Sequence, residues 1–117
     1  THSEQSCHYP EYATKLCEKL KTSNEQEQGI LLCGSGIGVS MVANRYVWIR
    51  AARCCSVEDA KMAKAHNNAN VICLGSRVNT LVEMKKMLEV WLTTPFEGGR
   101  HQERIDLFSR SFKHENK

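Results

Sequence analysis

No stretch of the 117 residues approaches the ~20 consecutive apolar positions that a membrane-spanning helix needs. The opening Thr1-His2-Ser3-Glu4-Gln5 lacks the character of a secretory signal, so the expected location is the cytosol. Cys-x-x-Cys is absent, and the six cysteines are scattered over separate segments, which argues against a zinc site built on them. A disulfide framework is not expected either. Cys33 and Cys73 sit in apolar runs, and neighbours such as Cys54 and Cys55 on one strand point to opposite faces, so reduced thiols are the better reading.

The glycines carry neither the G-x-G-x-x-G of dinucleotide sites nor the Lys-Ser or Lys-Thr that ends a P-loop. The formal charge is only +3 and is mixed along the chain, without a basic arm, so nucleic-acid binding is not suggested. Internal repeats and low-complexity segments are missing too. With 41% hydrophobic and 25% charged residues, the chain has the balance of one globular domain spanning 1–117, with 113–117 expected to fray.

What is present alternates between helical and strand patterns. Tyr12, Ala13, Leu16, Cys17 and Leu20 recur at helical spacing, predicting an amphipathic helix from Tyr9 to about Thr22 with Pro10 in its first turn. Gly29 to Cys33 is a short continuous apolar run, the pattern of a strand covered on both faces, and Ile37 to Asn44 is the helix that packs back on it. Trp48 to Cys55 predicts a second strand, interrupted by Arg50 and Arg53. Ser56-Val57-Glu58-Asp59 resembles a capping box opening a helix that runs to about His66. Asn70 to Leu74 is a third strand turned by Gly75. Thr80 to Glu83 starts another helix with Leu81, Met84, Leu88 and Trp91 as its buried stripe, closed by Pro95. Gly98-Gly99 is a hinge before a last helix carrying Ile105, Phe108 and Phe112. Strands separated by helices predict an α/β fold, a Rossmann-like open parallel sheet with helices on both faces.

In such sheets ligands sit beyond the carboxyl ends of the strands. Leu32-Cys33-Gly34-Ser35-Gly36-Ile37-Gly38-Val39-Ser40 falls at one of those ends. Its glycines let the backbone approach a ligand, and the helix that follows would aim unpaired N–H groups at an anion such as a phosphate or an enolate.

Three strings extend this signal: Gly29 to Asn44, Ala65-His66-Asn67-Asn68-Ala69-Asn70-Val71-Ile72-Cys73-Leu74-Gly75, and Phe96-Glu97-Gly98-Gly99-Arg100-His101-Gln102-Glu103-Arg104. Together with Tyr9-Pro10-Glu11-Tyr12-Ala13 they resemble, collinearly and over nearly the whole chain, the sugar-phosphate isomerases of the ribose-5-phosphate isomerase B type, relatives of the galactose-6-phosphate isomerase subunits. In that pattern a strand ending in an Asp-His pair comes first. This chain is expected to begin about one strand and one helix later, so that the first βα unit is missing from these residues.

The resemblance implies aldose to ketose isomerisation of a phosphorylated pentose, ribose 5-phosphate to ribulose 5-phosphate, through an enediolate and without a cofactor or metal. Cys33 matches the base that takes the C2 proton; its alternative is a small buried strand residue. The N–H groups of Gly34, Gly36, Ile37 and Gly38 would form the anion hole, with Ser35 supplying a hydroxyl near the reacting carbons; the alternative is a tight turn. His66 matches the ring opener, and imidazole suits that proton exchange near neutral pH. Asn44 and Asn67 match polar positions lining the same pocket, or cap helices. Tyr9 contacts the sugar or staples the first helix.

Arg100 and Arg104, four apart, share one helical face and could grip a phosphate, or form a solvated face; His101 is expected to face away from them. In the family these arginines complete a site shared by two subunits, so a homodimer is implied. Trp48 stands where the family has a glycine, predicting a reshaped loop, and Asn68 replaces an aspartate beside His66. The alternative function is a non-catalytic relative that dimerises or binds a sugar phosphate without turnover.

Overall fold

The computed structural model describes the backbone of residues 9–22 and 27–115 and the side chains of residues 10–22 and 27–108. Among the described residues the elements run α1 (Tyr9–Lys21), β1 (Gly29–Cys33), α2 (Ile37–Ala43), β2 (Ala51–Arg53), α3 (Val57–Ala65), β3 (Val71–Gly75), α4 (Leu81–Thr93) and α5 (Arg100–Glu115). The three strands are all parallel, in the order β1-β3-β2. Every residue of the central β3 is buried, as the unbroken apolar run Val71-Ile72-Cys73-Leu74 requires of a strand covered on both faces.

Alternation along the strands sorts the core into two layers. Leu31, Val71 and Cys73 face α1 and α2, where they meet Ala13, Cys17, Val39 and Ala43. Ile72 and Leu74 face α3 and α4 and meet Ala60, Ala63, Met84, Met87 and Trp91. The open parallel sheet with helices on both faces is therefore as expected. Leu31, Ile72, Met87 and Trp91 are among the fully buried side chains, each contributing about 1.5–3 kcal/mol. On edge strand β1, by contrast, Ile30 and Leu32 are half exposed.

Three expectations are corrected. The second strand is Ala51–Arg53 rather than Trp48 to Cys55. Side chains take the hydrogen bonds that the sheet would have made: Asn70 Oδ1 accepts from the Arg50 N–H at 2.7 Å, and Asn70 Nδ2 donates to the Trp48 carbonyl at 2.9 Å. Trp48 itself donates from its indole to the Cys17 carbonyl at 2.7 Å and tilts against Tyr46, holding the loop onto α1. It escapes left-handed strain, since Asn68 (φ 45°) is the non-glycine residue at positive φ among those described.

The third strand extends through Gly75 rather than stopping at Leu74. In α4 the buried stripe is Met84, Met87 and Trp91, while Leu81 is 65% exposed. Its capping box is complete: Thr80 Oγ1 accepts from the Glu83 N–H and Glu83 Oε1 accepts from the Thr80 N–H. Ser56 caps α3 by accepting from the Asp59 N–H at 3.1 Å, and Asp59 accepts from the Cys55 N–H rather than from Ser56.

Gly98 and Gly99 both take positive φ before α5. Ile105 is buried, whereas Phe108 is 53% exposed. The side chains of Phe112 and of Tyr9 lie outside the described residues, as do the side chains of the tail from Lys113.

Candidate active site

The glycine loop forms because β1 and β3 keep pairing past the sheet. Cys33 lies opposite Gly75, Ser76 N–H donates to the Cys33 carbonyl, and Arg77 N–H donates to the Gly34 carbonyl, each at 2.9 Å. Two glycines permit this closeness. A Cβ on Gly75 would lie 2.6 Å from the Ser35 carbonyl carbon, and Gly36 turns the chain into α2 at φ 79°, tight against the Leu74 backbone.

That turn aims donors at sulfur. Gly36 N–H donates to Cys33 Sγ at 3.1 Å, and Ile37 N–H donates to Ser35 Oγ at 3.1 Å. Two amides expected to hold substrate anion are thus engaged by the chain itself. Partial burial pushes the Cys33 thiol up, but hydrogen bonds from the N–H groups of Gly36, Ser35 and Val39 and from the Ser35 side chain outweigh it, leaving the pKa below the ordinary thiol value. Buried Cys17 is instead pushed up to about 11, and Cys54 and Cys73 to about 12, chiefly by desolvation. Of the described thiols whose pKa moves, Cys33 alone moves toward thiolate.

Two further arginines, Arg53 and Arg77, flank this loop. Arg53 Nε donates to the Ser35 carbonyl at 2.8 Å, and the Arg77 guanidinium lies over Gly34, 3.3 Å from where a Cβ would stand. Both are exposed. The signal for Arg53 was a charge interrupting an apolar strand; Arg77 had none.

His66, Asn44 and Asn67 do not join Cys33. Helices α2 and α3 start at the carboxyl ends of the strands and run back, so their last residues lie at the amino ends. Cys33 is at the carboxyl pole of β1, whereas His66 caps the end of α3 just before β3 begins, and β3 itself spans about 13 Å. Asn44 ends α2 at that amino pole, where its amide exchanges two hydrogen bonds with Ala51, at 2.8 and 2.9 Å. Asn67 is exposed beside it. Within one chain the residues expected to line one pocket therefore divide between the two poles of the sheet.

At the amino pole His66 stacks on His101, ring centroids 4.3 Å apart and planes 11° from parallel. Glu97 Oε1 stands 3.6 Å from Nε2 of each histidine, and its backbone N–H donates to the Ala65 carbonyl at 3.0 Å. His101, expected to face away from the arginine pair, turns onto His66. Arg100 and Arg104 follow on the first turns of α5, both exposed. A cavity of about 450 Å³ opens nearby, lined by Asn44, Arg50, Asn67, Ile105 and Phe108 among others.

The arrangement thus offers a thiol held below its ordinary pKa at one pole, and imidazole with two guanidiniums at the other. The Ribose/Galactose Isomerase family profile matches residues 1–108. The chain is 44% identical over 102 residues to the probable ribose-5-phosphate isomerase B of Mycoplasma genitalium, covering 87% of this chain and 67% of that one. It is 39% identical over 106 residues to the ribose-5-phosphate isomerase B of Escherichia coli, covering 91% and 70%. Among solved structures, that of the Clostridium thermocellum ribose-5-phosphate isomerase B superposes with a TM-score of 0.92 at 38% identity, over 97% of this chain and 76% of that one. The Mycoplasma genitalium enzyme with bound ribulose-5-phosphate superposes with a TM-score of 0.91 at 41% identity, over 97% and 74%. By profile, sequence and fold, the chain belongs to the Ribose/Galactose Isomerase family.

Proposed function

We infer that this protein interconverts ribose 5-phosphate and ribulose 5-phosphate, with Cys33 as the base. The observation that carries the reading is the Gly36 N–H donated to Cys33 Sγ, which favours the thiolate that proton abstraction needs. A relative solved with ribulose-5-phosphate bound supports the substrate class.

His66 opens the sugar ring by giving a proton to the ring oxygen and taking one from the anomeric hydroxyl. Cys33 then removes the C2 proton, amides of the glycine loop and the Ser35 hydroxyl stabilise the enediolate, the O2 proton passes to O1, and Cys33 returns its proton to C1. Gly36 and Ile37 are held by Cys33 and Ser35 until substrate competes for them. Arg100 and Arg104 hold the phosphate.

Because these groups lie at opposite poles of one sheet, a complete site needs two chains. The reading is a homodimer in which the amino pole of one copy, with His66, Arg100 and Arg104, faces the carboxyl pole of the other, with Cys33 and Ser35. The cytosol is the proposed compartment: no helix among the described residues is long and apolar enough to cross a membrane, and the described cysteines are free thiols.

The test mixes two inactive variants, Cys33→Ala and His66→Ala, after unfolding and refolding together. Each mixed dimer then holds one site with both native groups, so activity returns to about one quarter of wild type. Mixtures that stay as inactive as their parents, although a tagged and an untagged chain co-purify, would refute the shared site. Cys33→Ala that retains wild-type turnover would refute the base.

A further inference from the structure

The His66, Glu97 and His101 group stands apart from every hydrogen bond of the Cys33 loop, and its makeup is that of a metal ligand set. We propose that it is a site for a divalent transition metal of the zinc class, whose occupancy takes His66 out of proton transfer.

The three donors come from three different stretches of backbone that fix one another. His66 caps α3, Glu97 is tied by its N–H to Ala65 beside it, and His101 sits in the first turn of α5 with its N–H on the Gly98 carbonyl at 3.1 Å. Their ligand atoms, two imidazole nitrogens and a carboxylate oxygen, all lie within 4.8 Å of one another. Zinc held at about 2.0–2.2 Å in tetrahedral geometry places its donors about 3.4 Å apart, so both histidine-to-Glu97 separations of 3.6 Å already fit. The two imidazoles must swing their Nε2 edges together and open their stack. His66 and Glu97 are 32% and 58% exposed and free to turn, while His101, at 17%, is the better anchored partner.

Chemistry selects the ion. Two imidazoles and one carboxylate suit zinc, nickel or copper, whereas magnesium prefers oxygen ligands and keeps its waters. Three protein ligands leave a fourth position open to water. A metal on Nε2 of His66 occupies the lone pair that ring opening uses, so an occupied site slows turnover. That consequence rests on the ring-opening role proposed for His66; binding itself does not.

The test titrates the chelator-stripped chain with Zn2+ by calorimetry, and with Co2+ followed by its visible ligand-field absorption. The site predicts saturable binding of one ion per chain through these residues, weakened at least about tenfold in His101→Ala and in Glu97→Gln and unchanged in Cys33→Ala, with no heat from Mg2+. Binding that ignores both His101→Ala and Glu97→Gln, that is lost in Cys33→Ala, or that never saturates overturns the site. In wild type, Zn2+ should inhibit isomerisation along the same isotherm, reversed by chelator. Ion bound at this site without any slowing would overturn the inhibitory consequence and the assignment of His66 with it, while leaving Cys33 as the base.

Discussion

The backbone N–H of Gly36 donates to the thiol of Cys33 across 3.1 Å, and the left-handed turn at Gly36 is what aims it. A buried strand residue with no such donor would be pushed up by desolvation, as Cys73 is two strand pairs away on β3. One turn therefore separates a thiol held below its ordinary pKa from one pushed above it.

Alkylation should reveal that difference. Brief iodoacetamide treatment near neutral pH followed by peptide mass spectrometry is expected to label Cys33 well before Cys17, Cys54 and Cys73, which burial keeps protonated. Equal labelling of Cys33 and Cys73 would remove the basis for calling Cys33 activated.

With Cys33 as the proposed base, turnover should rise with pH through its thiol, at a midpoint below that of an ordinary thiol. Stability follows the same direction. A depressed folded pKa contributes stability above the unfolded value, lost as pH falls through the folded one. The raised Cys17, Cys54 and Cys73 act oppositely, their contribution complete below the ordinary thiol value and lost as pH climbs toward about 11 and about 12. Chemical unfolding measured between pH 6 and pH 10, taken as roughly the workable range, should thus decline at the alkaline end.

Gly36→Ala places a Cβ at φ 79° and 3.1 Å from the Leu74 carbonyl carbon. It is expected to cost about 1–2 kcal/mol in urea unfolding and to move the pH midpoint of turnover upward as the donor drifts from sulfur. A variant of wild-type stability with an unmoved midpoint would show that the turn is not what activates Cys33.

Arg53→Leu removes the guanidinium held on the Ser35 carbonyl while leaving a strand-compatible side chain. Turnover should fall by roughly tenfold as Ser35 loosens, with stability changed by less than about 0.5 kcal/mol because the side chain is exposed. Kinetics and urea unfolding measured on one preparation check both halves.

Thr80→Ala breaks the side-chain half of the α4 capping box. The expected loss is about 1 kcal/mol in unfolding free energy, with turnover intact, because the buried face of α4, Met84, Met87 and Trp91, packs into the core with Ile72 and Leu74.

Much of this was legible from local signals. The stripe Ala13-Cys17, the apolar run of β3, and the caps at Ser56 and Thr80 each depend on neighbours a few residues away, and they appeared where expected. Trp48 to Arg50 was misread as strand because its partners, Asn70 and the Cys17 carbonyl, are 20 or more residues distant. Leu81 was placed in the core of α4 because Leu81, Met84, Leu88 and Trp91 make an apolar stripe as regular as the real one; which face is covered depends on α3 and the sheet. Glu97 carries no signal in sequence because its meaning comes from two histidines that only the fold sets beside it.

Sequence by itself determined the alternation of strand and helix, the thiol at the end of an apolar strand, and the glycines that follow it, since these are properties of short windows governed by side-chain size and spacing. Only the tertiary structure decided which groups meet. Direction reverses at each crossover, so Cys33 and His66, each legible in sequence, end at opposite ends of one sheet, a separation that no short window of sequence contains.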